Sequence, residues 1–240
     1  QRIDLVPDGY TNIGLSIDKR FKPKGEKVIC ADLKSPQDES LNFIVTDVSN
    51  EASVTAMMDQ VEKEFGHLDV LVNNAGICVE TPIQDTTEQQ WNRVMDINIK
   101  GTFLTTKHAL RLMKKPAAQA PSIVNISSIE GLGANPLHAV YAASKAAVAG
   151  FTHNTALEYG PYGIRCNSVA PGWINTPFNQ QFLAQYPDRK AVDAEIESLH
   201  PAGRLGTPED VANTVFWLAS TEASFITCLL YTSDAADDSL

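Results

Sequence analysis

The chain has 240 residues, and its acidic residues outnumber the basic ones to give a formal net charge of −10 at pH 7. A chain of this length can bury the core of one large domain. A negatively charged surface repels nucleic acid and anionic lipid, so we predict neither a nucleic-acid partner nor a membrane partner. No apolar run approaches the roughly 20 residues that cross a bilayer.

Strand-like runs alternate with helix-length amphipathic runs along the chain. Short, nearly continuously apolar segments at 2–6, 27–32, 41–45, 68–76, 122–128 and 164–172 are typical of parallel strands covered on both faces. Between them, apolar residues recur at helical spacing over 52–65, 89–115 and 141–159. This alternation predicts an α/β fold, a doubly wound parallel sheet with helices on both faces. In such sheets, ligands bind beyond the carboxyl ends of the strands.

The cysteines are far apart in the sequence and lack the paired spacing of a zinc site. Each lies in or beside an apolar stretch, which favours reduced core thiols in a cytoplasmic protein. We therefore predict a cytoplasmic location and no metal site. The four cysteines are Cys30, Cys78, Cys166 and Cys228.

The segment YAASK places Tyr141 and Lys145 one turn apart on the same face of a predicted helix. A phenol with a pKa of about 10 is a poor acid or base at pH 7, but a neighbouring ammonium lowers that pKa and favours proton transfer to an alkoxide. Ser128 ends a predicted strand and could bond the same substrate oxygen. Asn98 lies mid-helix, where asparagine has no propensity advantage. Each of these residues alone has an ordinary structural explanation. Their joint order along a chain of alternating strands and helices instead indicates a catalytic site.

These residues and several further motifs resemble the short-chain dehydrogenase/reductase family over about residues 1–227. The motifs are NNAG at 73–76, Asn98, Ser128 with YAASK, PGWINTP at 171–177 and GRLGTPEDVA at 203–212, in the family's order and spacing. The resemblance implies one Rossmann-like domain that transfers a hydride between a nicotinamide cofactor and a secondary alcohol or ketone.

The resemblance also implies a role for each of four catalytic residues. Tyr141 would act as the general acid/base, and Lys145 would lower the pKa of Tyr141 and bond the nicotinamide ribose. Ser128 would orient the substrate carbonyl. Asn98 would hold a water that relays protons through Lys145.

The predicted cofactor is NAD rather than NADP, because Asp32 ends the second strand about twenty positions after the glycine turn. A carboxylate there accepts hydrogen bonds from the adenosine ribose and repels a 2′-phosphate, although Lys34 lies close enough to soften the preference. The other expected cofactor contacts rest on the resemblance: Ile13, Gly14, Asp47, Val48, Asn74, Ala75, Gly76, Tyr141, Lys145, Pro171, Gly172, Ile174 and Thr176.

The segment PDGYTNIG at 7–14 departs from the family's T-G-x-x-x-G-I-G turn. Aligned on Gly14, it places Asp8 at the first glycine and Asn12 at the second; a one-residue gap would instead let Gly9 replace the first glycine. Asp8 would add a negative charge near two phosphates. We expect cofactor binding to be about tenfold to a hundredfold weaker but not abolished, because the next helix still offers its N-terminus to the pyrophosphate.

The substrate wall is predicted from loops 77–81 and 129–138 and from the segment after Thr176. That segment carries Phe178, Phe182 and Tyr186, which are equally typical of an apolar lid and of an ordinary helix core. His138 is more readily interpreted as a solvated loop residue than as a substrate contact. The sequence does not distinguish a sugar, a polyol, a hydroxysteroid or a 3-oxoacyl thioester.

Two other functions remain open at this point: an NADP-dependent 3-oxoacyl-thioester reductase of the same family, and a non-catalytic relative with a degenerate cofactor loop. The family also pairs long helices such as 89–115 and 141–159 across a two-fold axis, which predicts a homodimer or homotetramer.

The segment 228–240, CLLYTSDAADDSL, contains no glycine, whereas the family continues through a last strand to a glycine-containing turn. It resembles the translation of a sequencing adapter more than a protein terminus. We hypothesise that the native sequence ends near Thr227 and that 228–240 is an atypical tail.

Overall fold

The computed structural model describes residues 2–8, 12–22, 25–34, 42–183 and 187–233, apart from the side chains at 12, 178, 181, 182 and 199. Its strands are β1 (Ile3–Pro7), β2 (Lys27–Asp32), β3 (Asn42–Val45), β4 (Val70–Asn73), β5 (Ser122–Ile126), β6 (Arg165–Pro171) and β7 (Leu230–Ser233). Its helices are α1 (Asn12–Phe21), α2 (Glu51–Phe65), α3 (Glu88–Met95), α4 (Gly101–Met113), α5 (Ala139–Tyr159), α6 (Pro177–Leu183), α7 (Arg189–Leu199) and α8 (Pro208–Ala219).

The strands form one parallel sheet in the order β3-β2-β1-β4-β5-β6-β7. The chain runs outward from β1 to β3 and then crosses back to β4, so the strand order reverses between β1 and β4. At such a reversal the loops after the two strands diverge and leave a crevice. The predicted doubly wound sheet is confirmed, and the crevice positions the candidate site.

Two apolar cores cover the two faces of the sheet. On one face, the buried sides of α2 and α4 pack against β1, β2 and β4 through residues such as Met57, Met58 and Leu112. On the other face, α1 packs against α8 through residues such as Phe21 and Val215. With helices on both faces, the five inner strands are buried almost throughout, which explains their nearly continuous apolar sequences, whereas the edge strands β3 and β7 are partly exposed.

The predicted helix at 89–115 is present but is not uniform. It begins as α3 after Thr87, whose side chain accepts a hydrogen bond from Gln90 N in a capping box. It widens into a π-helical turn over Asp96–Lys100 and continues as α4. A π turn inserts one extra residue per turn and commonly marks a functional position; here Asn98 lies inside it.

The segment 228–240 supplies the last strand of the sheet. Residues 230–233 form β7 and pair in parallel with β6, from Ser168 with Leu230 to Pro171 with Ser233. Residues beyond 233 lie outside the described residues. The sequence patterns also did not predict α6, α7 or α8.

The prediction that all four cysteines are core thiols is wrong for two of them. Cys30 and Cys166 are buried, whereas Cys78 is partly exposed and lines the crevice, and Cys228 is exposed. None of the four forms a disulfide bond. Among the described helices, none combines the length and the apolar character needed to span a membrane.

Candidate active site

The crevice opens into a cleft of about 1000 Å³, including space open to solvent, at the carboxyl ends of β1, β4, β5 and β6. Most of the residues expected to bind cofactor or substrate meet there. Its predicted lining residues are Ile13, Asn74, Gly76, Ser128, Tyr141, Lys145, Pro171, Gly172, Ile174 and Thr176. Separate strands therefore bring residues more than 150 positions apart into one cavity.

Tyr141 and Ser128 both line the cleft. Tyr141 lies in the first turn of α5, and Ser128 ends the loop after β5, where its hydroxyl also accepts a hydrogen bond from Glu130 N at 3.2 Å. Burial raises the pKa of Tyr141 above its usual value, and a hydrogen bond from Ser128 opposes that rise. The phenol therefore keeps its proton at neutral pH, ready to donate it.

Lys145 lies one turn beyond Tyr141 and is buried beside it. Its ammonium donates a hydrogen bond to Ile126 O at 2.8 Å and lies 5.7 Å from the centroid of the Tyr141 ring. Burial lowers the pKa of Lys145 from 10.5 to about 8, and the Asp8 carboxylate opposes this change. Burial is the largest influence on the pKa of Tyr141 and Lys145 is not among its causes, so the expected lowering of that pKa by Lys145 stays a prediction.

Two glycines allow this packing. A Cβ added to Gly76, after β4, would lie 3.2 Å from Lys145 Nζ, so a larger residue would push the lysine aside. A Cβ on Gly131 would lie 2.8 Å from Ala146 N, so only glycine lets the Ser128 loop approach α5 this closely.

Asn98 lies behind Gly76 and is almost fully buried. Its amide accepts a hydrogen bond from Ile77 N at 2.8 Å and donates to Ile77 O at 2.9 Å and to Ser144 Oγ at 2.9 Å. Asn98 therefore ties the loop after β4 to α5. Its expected role in holding a relay water stays a prediction.

Asp8 occupies the position where the family has its first glycine. It adopts a left-handed conformation with φ 57° and donates its N–H to Ala31 O at 2.6 Å. Asn74 Nδ2 donates to Asp8 O at 3.1 Å and lies 3.4 Å from Asp8 Oδ2. The turn thus demands a glycine-like backbone and receives an aspartate, whose side chain lines the cleft. Gly9 lies outside the described residues.

The remaining cofactor candidates lie outside the lining of the cleft. Asp32 ends β2, and one of its carboxylate oxygens, Oδ1, accepts a hydrogen bond from Leu33 N at 2.6 Å. Its other oxygen, Oδ2, is buried and has no hydrogen-bond partner among the described residues.

Asp47 accepts hydrogen bonds from Ser49 N and Oγ and so closes its own turn. A Cβ added to Gly101 would lie 2.9 Å from Val48 Cγ2, so the side chain of Val48 packs directly against the backbone of Gly101. Gly14 is buried in the first turn of α1, and Ala75 is partly exposed after β4.

The segment after β6 is held in place from two sides. Gly172 N donates to Ser233 O in β7 at 3.0 Å, and Ile174 forms a bridge with Gly206. Trp173 N donates to Nε2 of the buried His200 at 3.2 Å, and His200 Nδ1 lies 2.7 Å from Ile196 O in α7. The side chains of Phe178 and Phe182, and all of Tyr186, lie outside the described residues, so the lid stays a prediction.

The wall opposite Lys145 carries a group that the sequence patterns did not reveal: Cys78, Glu80, Glu130 and His138. His138 lies in the loop before α5 as expected but is buried, so the expectation that it is solvated is wrong. Its Nδ1 lies 3.3 Å from Glu130 Oε1 and its Nε2 lies 3.7 Å from Glu80 Oε1, and the hydrogen bond to Glu130 raises the pKa of His138. Burial and the two carboxylates raise the pKa of the Cys78 thiol to about 12. The only sequence signal for these four residues is their position in loops 77–81 and 129–138, both of which were predicted to form the substrate wall.

Comparison with known proteins agrees with this geometry. Residues 10–235 match the protein family described as enoyl-(acyl carrier protein) reductase. The chain is 37% identical to cis-4-hydroxycyclohexanecarboxylate dehydrogenase of Sinomonas cyclohexanicum over 237 residues, which are 94% of this chain and 92% of that one. The chain belongs to the short-chain dehydrogenase/reductase family.

Further relatives of the enzyme support the same assignment. Cyclopentanol dehydrogenase of Comamonas testosteroni is 37% identical over 238 residues, 94% of this chain and 92% of that one. The ligand-free aldohexose dehydrogenase of Thermoplasma acidophilum superposes with a TM-score of 0.92 at 36% identity, covering 98% of this chain and 93% of that one. ElxO with NADP bound superposes with a TM-score of 0.86 at 33% identity, covering 97% and 96%. The expected enzyme class is confirmed: the chain is an NAD(P)-dependent oxidoreductase of the secondary alcohol–ketone couple.

Proposed function

We propose that the enzyme transfers a hydride between NAD and a secondary alcohol or ketone, with Ser128, Tyr141 and Lys145 as catalytic residues and Asn98 as the fourth member of the site. The observation that carries the proposal is the meeting of Ser128, Tyr141 and Lys145 in one cleft at the switch point of the sheet. Ser128 is close enough to Tyr141 to lower the pKa of its phenol, and Lys145 lies one turn beyond Tyr141 on the same helix.

Each residue has a task that its environment supports. Ser128 orients the substrate oxygen beside Tyr141, and Tyr141 gives its proton to the developing alkoxide during ketone reduction. Because burial keeps Tyr141 protonated, reduction begins with the acid already in place. Lys145 holds positive charge near that oxygen while its pKa of about 8 lets it exchange a proton close to neutral pH. The nicotinamide ring, when bound, accepts or supplies the hydride.

The residues present fit a dinucleotide at the ribose end. A buried Asp32 Oδ2 without a partner among the described residues suits the hydroxyls of an adenosine ribose, which donate hydrogen bonds. A 2′-phosphate would meet this carboxylate as a like charge, which favours NAD over NADP. α1 begins at Asn12, one residue before Ile13 in the lining of the cleft, so its N-terminus can serve a pyrophosphate, and Gly76 leaves room beside Lys145.

Asp8 opposes this fit at the phosphates. Its carboxylate lines the same cleft and acts electrostatically on Lys145. It therefore weakens the attraction of the cleft for a polyanion without blocking the ribose or nicotinamide contacts. The proposal includes a cofactor affinity lower than that of a relative with glycine at this position.

Two kinds of substrate are suggested by the relatives: cyclic secondary alcohols and aldohexoses. The wall beside Tyr141 presents the carboxylates of Glu80 and Glu130, which accept hydrogen bonds from hydroxyl groups and repel anions. A phosphate-bearing acyl thioester is thereby disfavoured, and with it the thioester-reductase alternative.

The decisive experiment is a fluorescence titration of the purified chain with NADH and with NADPH, followed by turnover of cyclopentanol, an aldohexose and a 3-oxoacyl thioester. We expect tighter binding of NADH, and turnover of an alcohol that falls by about a hundredfold or more in Tyr141→Phe. Preferred binding of NADPH with thioester turnover would replace the proposal by the first alternative. Binding without any turnover, or turnover that survives Tyr141→Phe, would favour the non-catalytic relative or a different acid.

We also propose a homodimer or homotetramer in the cytoplasm. α4 and α5 expose Phe103 and Leu157, which are 44% and 79% accessible, on the helices that the family pairs. Sedimentation of the purified chain would test this: a monomer at all concentrations would contradict the proposal.

A further inference from the structure

Three potential metal ligands meet in the wall of the cleft although they come from two loops. The thiol of Cys78, a carboxylate oxygen of Glu80 and a ring nitrogen of His138 lie within 4.8 Å of one another. Cys78 and Glu80 follow β4, and His138 precedes α5. Around a tetrahedral zinc ion, ligand atoms are about 3.2–3.8 Å apart; His138 Nε2 and Glu80 Oε1, at 3.7 Å, already meet this range, so only the longer separations, of up to 4.8 Å, need to shorten.

A fourth residue supports the histidine as metal-ligating histidines are usually supported. His138 Nδ1 faces Glu130 Oε1 at 3.3 Å, while Nε2 faces Glu80 Oε1 at 3.7 Å. A carboxylate on one ring nitrogen fixes the tautomer and directs the lone pair of the other nitrogen towards a metal. Asn135 Nδ2 in turn holds Glu130 Oε1 at 2.6 Å.

Glu130, which contacts the candidate ligand His138, adds a second observation. The residue is only 7% exposed, and its Oε2 is buried without a hydrogen-bond partner among the described residues. Burying a carboxylate oxygen without a donor or a cation is costly. Two carboxylates and a thiol thus surround one imidazole, and a divalent cation that displaces the protons of the thiol and the imidazole would balance the negative charge.

We propose that Cys78, Glu80 and His138 bind one divalent cation of the zinc class, with Glu130 positioning His138. A thiolate and an imidazole select zinc or cobalt over magnesium or calcium, which prefer oxygen ligands alone. Three protein ligands leave a fourth position, which opens into the cleft that Tyr141 also lines. A cation bound there occupies the substrate wall, so it competes with the alcohol for the cleft. The site does not depend on the proposed activity, because binding is measured directly.

The test is a titration of the chelator-treated full chain with Co²⁺, followed by absorption. We expect one equivalent to produce a thiolate-to-cobalt charge-transfer band together with the intense visible bands of a tetrahedral site, and Zn²⁺ to displace both. Cys78→Ser should abolish the charge-transfer band, and His138→Gln should weaken binding at least about tenfold. Glu130→Gln should weaken binding by about ten- to a hundredfold while the charge-transfer band remains at saturation.

Cys228→Ser is the matched control, because Cys228 is an exposed free thiol outside the cleft. It should leave the titration unchanged. Circular dichroism of each variant checks that it is folded. If Cys78→Ser does not fold, the weaker binding expected of His138→Gln still tests the proposal. The proposal is overturned if one equivalent of Co²⁺ gives no charge-transfer band, if the band persists in Cys78→Ser, or if Cys228→Ser removes it.

Discussion

Replacing Asp8 by asparagine would measure how much the altered phosphate turn costs the enzyme. The carboxylate of Asp8 lines the cofactor cleft, and Asn74 Nδ2 donates to its backbone oxygen at 3.1 Å. Asparagine keeps the shape of the side chain and tolerates the left-handed backbone that Asp8 adopts at φ 57°. The change therefore removes a charge and little else.

The magnitude follows from the position of the charge. Two unit charges about 4 Å apart interact by about 1 kcal/mol in water and about 4 kcal/mol near a protein surface. For a partly exposed carboxylate in an open cleft we take about 1–2 kcal/mol, so Asp8→Asn should bind NADH roughly five- to thirtyfold more tightly. The same change removes the negative charge that supports the ammonium of Lys145, so the pKa of Lys145 should fall further.

The assay is a fluorescence titration with NADH at low and at high ionic strength, because salt screens an exposed charge and should shrink the gain. Asp85→Asn is the control: Asp85 is exposed and does not line the cleft. Asp8→Gly separates charge from crowding, since it removes both. The charge argument fails if Asp8→Asn binds NADH no more tightly than the original chain, and a gain confined to Asp8→Gly would identify crowding as the cause.

Three further predictions concern the same cleft. Asp32→Ser should move the ratio of NADH to NADPH affinity towards NADPH by about tenfold, since it removes the like charge opposite a 2′-phosphate; an unchanged ratio would exclude Asp32 as the specificity residue. Gly76→Ala should lower turnover by about tenfold or more, because its Cβ would lie 3.2 Å from Lys145 Nζ, and normal turnover would show that Lys145 has room to move. The pKa of Lys145 is lowered from 10.5 to about 8, so the buried ammonium destabilises the fold most below pH 8, by about 3 kcal/mol, and this cost disappears as the pH rises towards 10.5. Lys145→Met should therefore raise the free energy of unfolding at pH 7 but not at pH 10.5, as followed by urea denaturation, and an equal effect at both values would refute the lowered pKa.

The amino-acid sequence alone determined the architecture and identified the candidate residues Ser128, Tyr141 and Lys145, which meet in one cleft. Parallel strands covered on both faces must be apolar nearly throughout, so their positions and the doubly wound sheet could be read from composition and period. YAASK determined that Tyr141 and Lys145 share a helix face, because that spacing is one turn. β7 was missed because four residues, LYTS, carry too little pattern to be distinguished from a loop.

The tertiary structure decided what surrounds those residues. The direction of the pKa of Tyr141 depends on burial, which no local pattern records. Likewise, Cys78 and His138 are sixty residues apart, and only the convergence of two loops at the strand ends brings them together. Local sequence sets period, turn chemistry and neighbours along one helix, whereas desolvation and contacts between loops arise only when the sheet brings distant segments into one cleft.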